Sequence, residues 1–273
     1  MNHRSYRHPA LGVLLLIASG LLGGCASGGG AGQVTNPADP WEHTNRSVYN
    51  FNDKLDRYAL KPASDAYVYV TTPKVRQSIN GAFTNIGEID TLLNDLLQAR
   101  FKQGGGDSLR LVVNSTLGIG GLFDMATPMG LHHHDEDFGL TLGVWGVSQG
   151  RYVVLPVFGP STLRDAPGIA VGILDDPLTW IDCPWVIYPI DALQVIDFRA
   201  SAGNAIRFRN AAALDPYVFT RDAYLKHRAY ELHGRAETQP TTESSINYFE
   251  EEPTTEPATQ PATQPTMTPA PKP

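Results

Sequence analysis

Three histidines and three carboxylates stand together in GLHHHDEDFG, residues 130–139, a density that metal chemistry uses. Two of the imidazoles with Asp135 or Asp137 on a loop would make an open zinc site, leaving one position for water. Neighbouring side chains, however, diverge by about 100° on a helix and alternate faces on a strand, so His132, His133 and His134 cannot all meet one ion in regular structure. Nothing else in the chain supplies spaced ligands, and the cluster reads as a solvated polar loop that holds no metal. Asp175-Asp176 runs into Pro177 and reads as a helix stop, not as a catalytic carboxylate pair. P-loop, H-E-x-x-H and C-x-x-C patterns are missing. Gly118-Ile119-Gly120-Gly121-Leu122-Phe123 places Phe123 where a dinucleotide fingerprint has its third glycine, and reads as a helix end. The chain is therefore not read as an enzyme, and no cofactor is expected.

Cys25 carries a chemistry of a different kind. Arg4 and Arg7 precede an apolar run from Leu11 to Leu22, too short to span a bilayer, which closes in Leu22-Gly23-Gly24-Cys25. That is the pattern of a bacterial lipobox: small residues admit the signal peptidase, and the cysteine thiol is alkylated with diacylglycerol. Residues 1–24 read as a lipoprotein signal peptide, and several acyl chains on Cys25 would make the anchor durable. Ala26 stands where an aspartate would retain a lipoprotein in the inner membrane, so the outer membrane, on its periplasmic side, is the expected destination. Cys183 is then left without a partner and reads as a small buried hydrophobe beside Pro184 and Trp185.

Between these features lies the part that folds. Residues 25–34, rich in glycine, read as a lipidated leash. Residues 236–273 hold six glutamates against one lysine and a PATQ repeat, too few apolar groups to offset ordering entropy, and read as disordered. That tail carries much of the formal net charge of −7, and nothing suggests a basic face for nucleic acid. The body, residues 35–235, has a helical period. Asp39 reads as the N-cap of a first helix with Val48, Phe51, Leu55 and Tyr58 on one face. Thr72-Pro73 opens a second with Val75, Ile79, Phe83 and Ile86 in line. A third, EIDTLLNDLLQARF, sets Ile89, Leu92, Leu93, Leu96 and Leu97 against Asp90, Thr91, Asn94, Asp95 and Gln98. A fourth runs from Asp107 through Leu109, Val112, Val113 and Leu117 to glycines 118, 120 and 121. Residues 139–168 are punctuated by Gly and Pro; only RYVVLPVF has a strand pattern, and the stretch is expected to pack on helices without forming a sheet. Helical pattern returns from Asp191 to Leu232, broken at Asp215-Pro216. The fold class is mainly α.

The block after the histidines, DEDFGLTLGVWGVSQGRYVVLPVFGPSTLRD, resembles the signature of the MlaA or VacJ family of lipoproteins. DPWEHTNRSVYNFND at 39–53, NSTLGIGGLFDMA at 114–126 and LDPYVFTRDAYLKHRAYELHG at 214–234 are similar to the family's other blocks, in the same order. The residues that carry the resemblance are Asp137, Phe138, Gly139, Thr141, Leu142, Gly143, Trp145, Gly146, Pro156, Gly159, Pro160, Arg164, Asp165, Asp215, Pro216, Tyr217, Arg221 and Tyr224.

The resemblance implies an outer-membrane lipoprotein that removes mislocalised phospholipid from the outer leaflet. It implies a ring of amphipathic helices lying in the inner leaflet around a polar channel, bound to a trimeric porin, passing lipid to a periplasmic phospholipid carrier. A headgroup needs a hydrogen-bonding path and the tails an apolar one, which helices with greasy outsides and a mixed inner wall can provide. Lying flat, the third and fourth helices would enter the acyl boundary by roughly 5–10 Å. Candidates for the lipid path are Leu92, Leu93, Leu96, Leu97, Val112 and Val113, with Asn50 and Phe51 as a gating pair. The glycines of the block should set turns and close packing, Trp145 and Tyr152 serve either core or interface, and Arg164 with Asp165, and Arg221 with Asp215 or Asp222, form ion pairs. A structural lipoprotein that braces porins or the envelope without moving lipid remains the alternative.

Overall fold

The computed structural model describes residues 36–234; Leu22, Gly23, Gly24, Cys25, the leash and the Pro/Thr tail lie outside the described residues. Helix α1, Glu42–Leu55, continues through a π-helical turn, Asp56–Leu60, into α2, Lys61–Val70. Its start differs from the one expected. Trp41 takes the N-cap position, while the buried Asp39 carboxylate receives Asn45, Tyr217 and Arg221 and so cannot cap its own helix end.

Where two helices were expected, α3 runs unbroken from Pro73 to Leu97. The Thr72 hydroxyl caps it, accepting from the Val75 amide at 3.3 Å, with Pro73 in the first turn. Gly87 marks the expected junction, but an interior glycine costs about 1 kcal/mol, too little to divide a helix whose polar stripe is buried along its second half. A tight turn with Ala99 at φ 59° leads into α4, Phe101–Thr116, and the two helices pack as a hairpin. The glycines end α4 as expected: the Gly118 amide donates to the Val113 carbonyl at 3.1 Å, and Gly120 and Gly121 take φ 71° and 89°.

After α5, Phe138–Val144, the chain forms β1, Tyr152–Leu155, and β2, Gly159–Thr162, an antiparallel pair with Tyr152 opposite Thr162. The expectation of no sheet here is thus corrected, and α1 supplies the reason. Asn45 donates to the Tyr152 carbonyl and accepts from the Val154 amide, and Asn52 does the same for Leu155 and Val157. These two side-chain amides satisfy the free edge of β1 as a third strand would.

Helix α6, Ala166–Asp175, is followed by α7, Pro184–Ser201, then α8, Gly203–Ala212, and α9, Pro216–Ala229, which ends in a π-helical turn, Tyr230–Gly234. α7 opens at Pro184, earlier than the Asp191 expected, because Pro189 lies so near its start that little of the hydrogen-bond ladder is lost. The break at Asp215-Pro216 is present. α3 is central, touching α4, α5, α6 and α7; β1 packs on α1, β2 on α9, and α2 on α7. Among the described residues no helix is long and apolar enough to cross a membrane.

Candidate functional site

What these helices bury is mostly polar. Among the described residues twenty polar or charged side chains are buried against ten hydrophobic ones, so the usual inside and outside are exchanged. In α3 the buried stripe is Asn85, Glu88, Thr91, Asn94 and Asp95; in α4 it is Gly104, Asp107, Arg110, Val113 and Asn114. Arg110 crosses the seam, its Nε 2.5 Å from Glu88 Oε1 and its Nη1 2.9 Å from Thr127 Oγ1 and 2.7 Å from the Leu131 carbonyl. Asn114 steadies the following loop by accepting from the Met125 and Ala126 amides.

The histidine loop is solvated only in part. His132 and His133 are both exposed, yet the His133 ring places Nδ1 2.8 Å from Glu88 and Nε2 3.0 Å from Asp135. His134 places Nε2 3.2 Å from Asp95 and Nδ1 3.4 Å from Asp107. The carboxylates buried between α3 and α4 need counter-charge, and this loop supplies it. Asp135 and Glu88 push the His133 imidazole up to about 9. Burial, then the neighbouring Asp95, push the Asp107 carboxyl up to about 7. Glu136 closes the loop on Arg100 at 2.6 Å and Gln98 at 3.0 Å.

The signature residues assemble a second polar knot. Asp137 caps α5 by accepting from the Leu140 amide at 2.9 Å and receives Arg228 through two bonds, of 2.7 and 3.0 Å. Arg228 also reaches Asp165 at 3.1 Å and Glu231 at 3.1 Å; Asp165 takes Arg164 Nε at 2.9 Å and the Tyr224 hydroxyl at 3.0 Å. Gly139 is dictated by space: a Cβ there would lie 2.7 Å from Asp165 Oδ1 and 2.9 Å from Arg228 Nη2. Gly143 backs onto Arg164, and Gly146 and Gly159 take φ 91° and 85° at turns. Thr141 donates to Asn94 at 2.8 Å and ties α5 to α3. Leu142 and Pro160 are half-buried and Pro156 is exposed. Tyr152 is fully buried, whereas Trp145 is exposed and meets Phe138 edge-on at 6.0 Å, so the two aromatics divide between core and surface. A cavity of about 260 Å³ opens beside Gly143, Arg164, Arg228 and Leu232.

At the other end of α9, Asp215 accepts from the Tyr217 and Val218 amides and binds Arg46 at 2.7 Å, with Pro216 in the first turn. Arg221 therefore pairs with Asp222 at 2.9 Å and Asp39 at 3.3 Å, and not with Asp215. Asn45, Arg110, Arg228 and Asp197, which receives Tyr67 at 2.8 Å and Asn80 at 3.0 Å, belong to this interior too. They escaped the sequence reading. Arg110 and Arg228 recur on the polar side of an amphipathic period, a signal that becomes usable only once that side is known to face inward.

The exterior is correspondingly apolar. Leu93, Leu96, Leu97 and Val112 are exposed, Leu92 is half-buried and Val113 is buried; Asn50 and Phe51 are both exposed on α1. Tyr69, Phe101, Trp180, Trp185 and Leu214 are exposed with them, Trp185 to 91 %. Cys183 is exposed, correcting the expectation of a buried thiol: it immediately precedes α7 on this apolar surface, and Trp185 does not cover it. Apolar surface on this scale is made for hydrocarbon or for a partner protein, not for bulk water.

The MlaA lipoprotein family model matches residues 37–231. The chain belongs to the MlaA lipoprotein family. It is 33 % identical over 229 residues to the intermembrane phospholipid transport system lipoprotein MlaA of Shigella flexneri, covering 82 % of this chain and 87 % of that relative. The Haemophilus influenzae lipoprotein of the same description is 30 % identical over 223 residues, covering 80 % of this chain and 88 % of the relative. A chain solved in work on the structural basis for maintenance of bacterial outer membrane lipid asymmetry is similar in fold, with a TM-score of 0.61 and 30 % identity, over 70 % of this chain and 98 % of that one. The mainly helical architecture of this MlaA-family chain thus agrees with its solved relative.

Proposed function

We infer that this chain is an outer-membrane phospholipid-transport lipoprotein that withdraws misplaced phospholipid from the outer leaflet and so preserves lipid asymmetry. The observation that carries the inference is the exchange of inside and outside: leucines and aromatics outward, hydrogen-bonded carboxylates, amides and guanidinia inward. A headgroup stripped of water must find hydrogen-bond partners, whereas acyl tails need only hydrocarbon. With the apolar exterior seated in the inner leaflet and Cys25 as the anchor, a headgroup can follow the polar interior while its tails stay in the bilayer. The apolar faces of α3 and α4, with Leu93, Leu96, Leu97 and Val112 exposed, then meet acyl chains, and Asn50 with Phe51, exposed on α1, is the pair we propose as the gate. A trimeric porin fits as the membrane partner and a soluble periplasmic carrier as the acceptor. Transfer of this kind forms and breaks no covalent bond.

The test is the amount of phospholipid on the cell surface, read with a headgroup-reactive probe that cannot cross the outer membrane, in cells lacking the gene and in cells where it is restored. Surface phospholipid should rise on deletion and fall on restoration. If it stays level while porin amounts or envelope integrity change, a bracing role replaces transport.

A further inference from the structure

The seam between α3, α4 and the histidine loop contains more buried negative charge than its arginines cancel. Arg110 is bound to Glu88 and Arg100 to Glu136, each at the centre of its own contact. Asp95 and Asp107, 0 % and 3 % exposed, share His134. His133, beside Glu88, and His134 are the remaining counter-charges, and both depend on a bound proton. The buried Asp95 and Asp107 carboxyl groups are hydrogen-bonded to one another, an arrangement that requires a proton between them. A bound cation can take the place of that proton and satisfy both buried carboxylates.

The geometry identifies where it would sit. One ligand atom from each of Asp95, His134 and Glu136 lies within 4.8 Å of the others. His134 Nε2 is 3.2 Å from Asp95 Oδ2, close to the roughly 3.3–3.5 Å edge of a tetrahedron with metal–ligand bonds of about 2.0–2.2 Å. The opposite ring nitrogen, Nδ1, faces Asp107 Oδ1 at 3.4 Å. A carboxylate behind a ligating imidazole fixes the ring's tautomer and orientation and strengthens it as a ligand. We propose that Asp95, His134 Nε2 and Glu136 bind a divalent transition-metal ion, Zn²⁺ by ligand type, with Asp107 orienting the histidine. Imidazole among the ligands argues against Mg²⁺ and Ca²⁺, which take oxygen. The ion fastens the loop of residues 131–137 to the α3–α4 hairpin. Because Asp95 comes from α3 and the other two ligands from that loop, the site is completed only when the loop is docked. The assignment does not rest on the transport reading.

The experiment uses the full chain purified in detergent, stripped with a chelator, dialysed and titrated separately with Zn²⁺, Mn²⁺ and Mg²⁺, with metal content measured by mass spectrometry and melting followed by circular dichroism. The expected result is one Zn²⁺ retained per chain after dialysis, a higher Tm with Zn²⁺ that Mg²⁺ does not reproduce, and loss of the ion in His134→Ala and Glu136→Gln but not in His132→Ala, whose ring is exposed. If the unaltered protein retains less than a tenth of an equivalent of every ion and its Tm does not respond, the cluster is balanced by protons and the proposal fails; that result needs no variant to fold. Retention of Zn²⁺ by His134→Ala would overturn it equally, placing the ion elsewhere.

Discussion

Replacing Leu93, Leu96 and Leu97 together with glutamine separates a membrane-seated exterior from one that merely faces water. The three side chains are 40, 46 and 47 % exposed in the folded chain. Fully burying a leucine is worth about 1.5–3 kcal/mol, so seating these exposed portions in acyl chains contributes about 2–4 kcal/mol for the three. At 1.4 kcal/mol per decade, losing that contribution weakens partition roughly 30- to 700-fold. The assay is liposome flotation of the chain carrying Cys25→Ala, so that no acyl anchor masks the effect, compared with the same chain bearing the triple change. Since none of the three leucines is buried, melting in detergent should move by little. A partition within twofold of the parent, at unchanged Tm, would refute the reasoning and leave the apolar face for a protein partner.

Arg228→Ala leaves the buried Asp165 with Arg164 as its remaining cation and unties Asp137 and Glu231, so stability should fall by about 3 kcal/mol, read by denaturant titration, with Arg228→Lys recovering little because a lysine cannot make the forked contact. Gly139→Ala forces a Cβ to within 2.7 Å of Asp165 and should cost about 1–3 kcal/mol in the same titration, whereas alanine at the open Gly105 should not destabilise. Asp90 is pushed up to about 7 by burial, then by Asp175 and Asp137. A raised carboxylate pKa means the folded chain holds the proton more tightly, so this group's contribution is favourable below the usual carboxylate range and is lost as pH climbs through about 7. Asp90→Asn should therefore raise Tm at pH 8 more than at pH 4, and equal shifts would contradict the assignment. Asn50→Ala, or deletion of Asn50 and Phe51, should change surface phospholipid at normal protein level; an unchanged surface removes them as a gate.

The residues made some of this plain and concealed the rest for physical reasons. The polar and apolar sides of α3 and α4 were readable from their period, because Leu92, Leu93, Leu96 and Leu97 fall on one side and Thr91, Asn94 and Asp95 on the other. Periodicity cannot say which side faces inward, and here the polar one does. The turn into α4 hid because Ala99 takes a positive φ that glycine ordinarily marks. The β hairpin hid because its outer edge is satisfied by Asn45 and Asn52, about a hundred positions away in the chain, and no local pattern announces a side chain acting as a strand. The contacts of His133 and His134 were hidden for the same reason: their partners, Glu88, Asp95 and Asp107, lie on other elements. The break at Asp215-Pro216 and the glycines ending α4 were legible because both signals are local.

The central claim is movement of phospholipid out of the outer leaflet, and its most direct test follows a labelled lipid. A headgroup-tagged phospholipid is inserted into the outer leaflet of living cells with and without this protein, and its disappearance from an impermeant quencher is timed. With the protein, the tagged lipid should leave the surface and appear in the inner membrane, and without it most should stay exposed. Equal rates in the two cells would contradict the account.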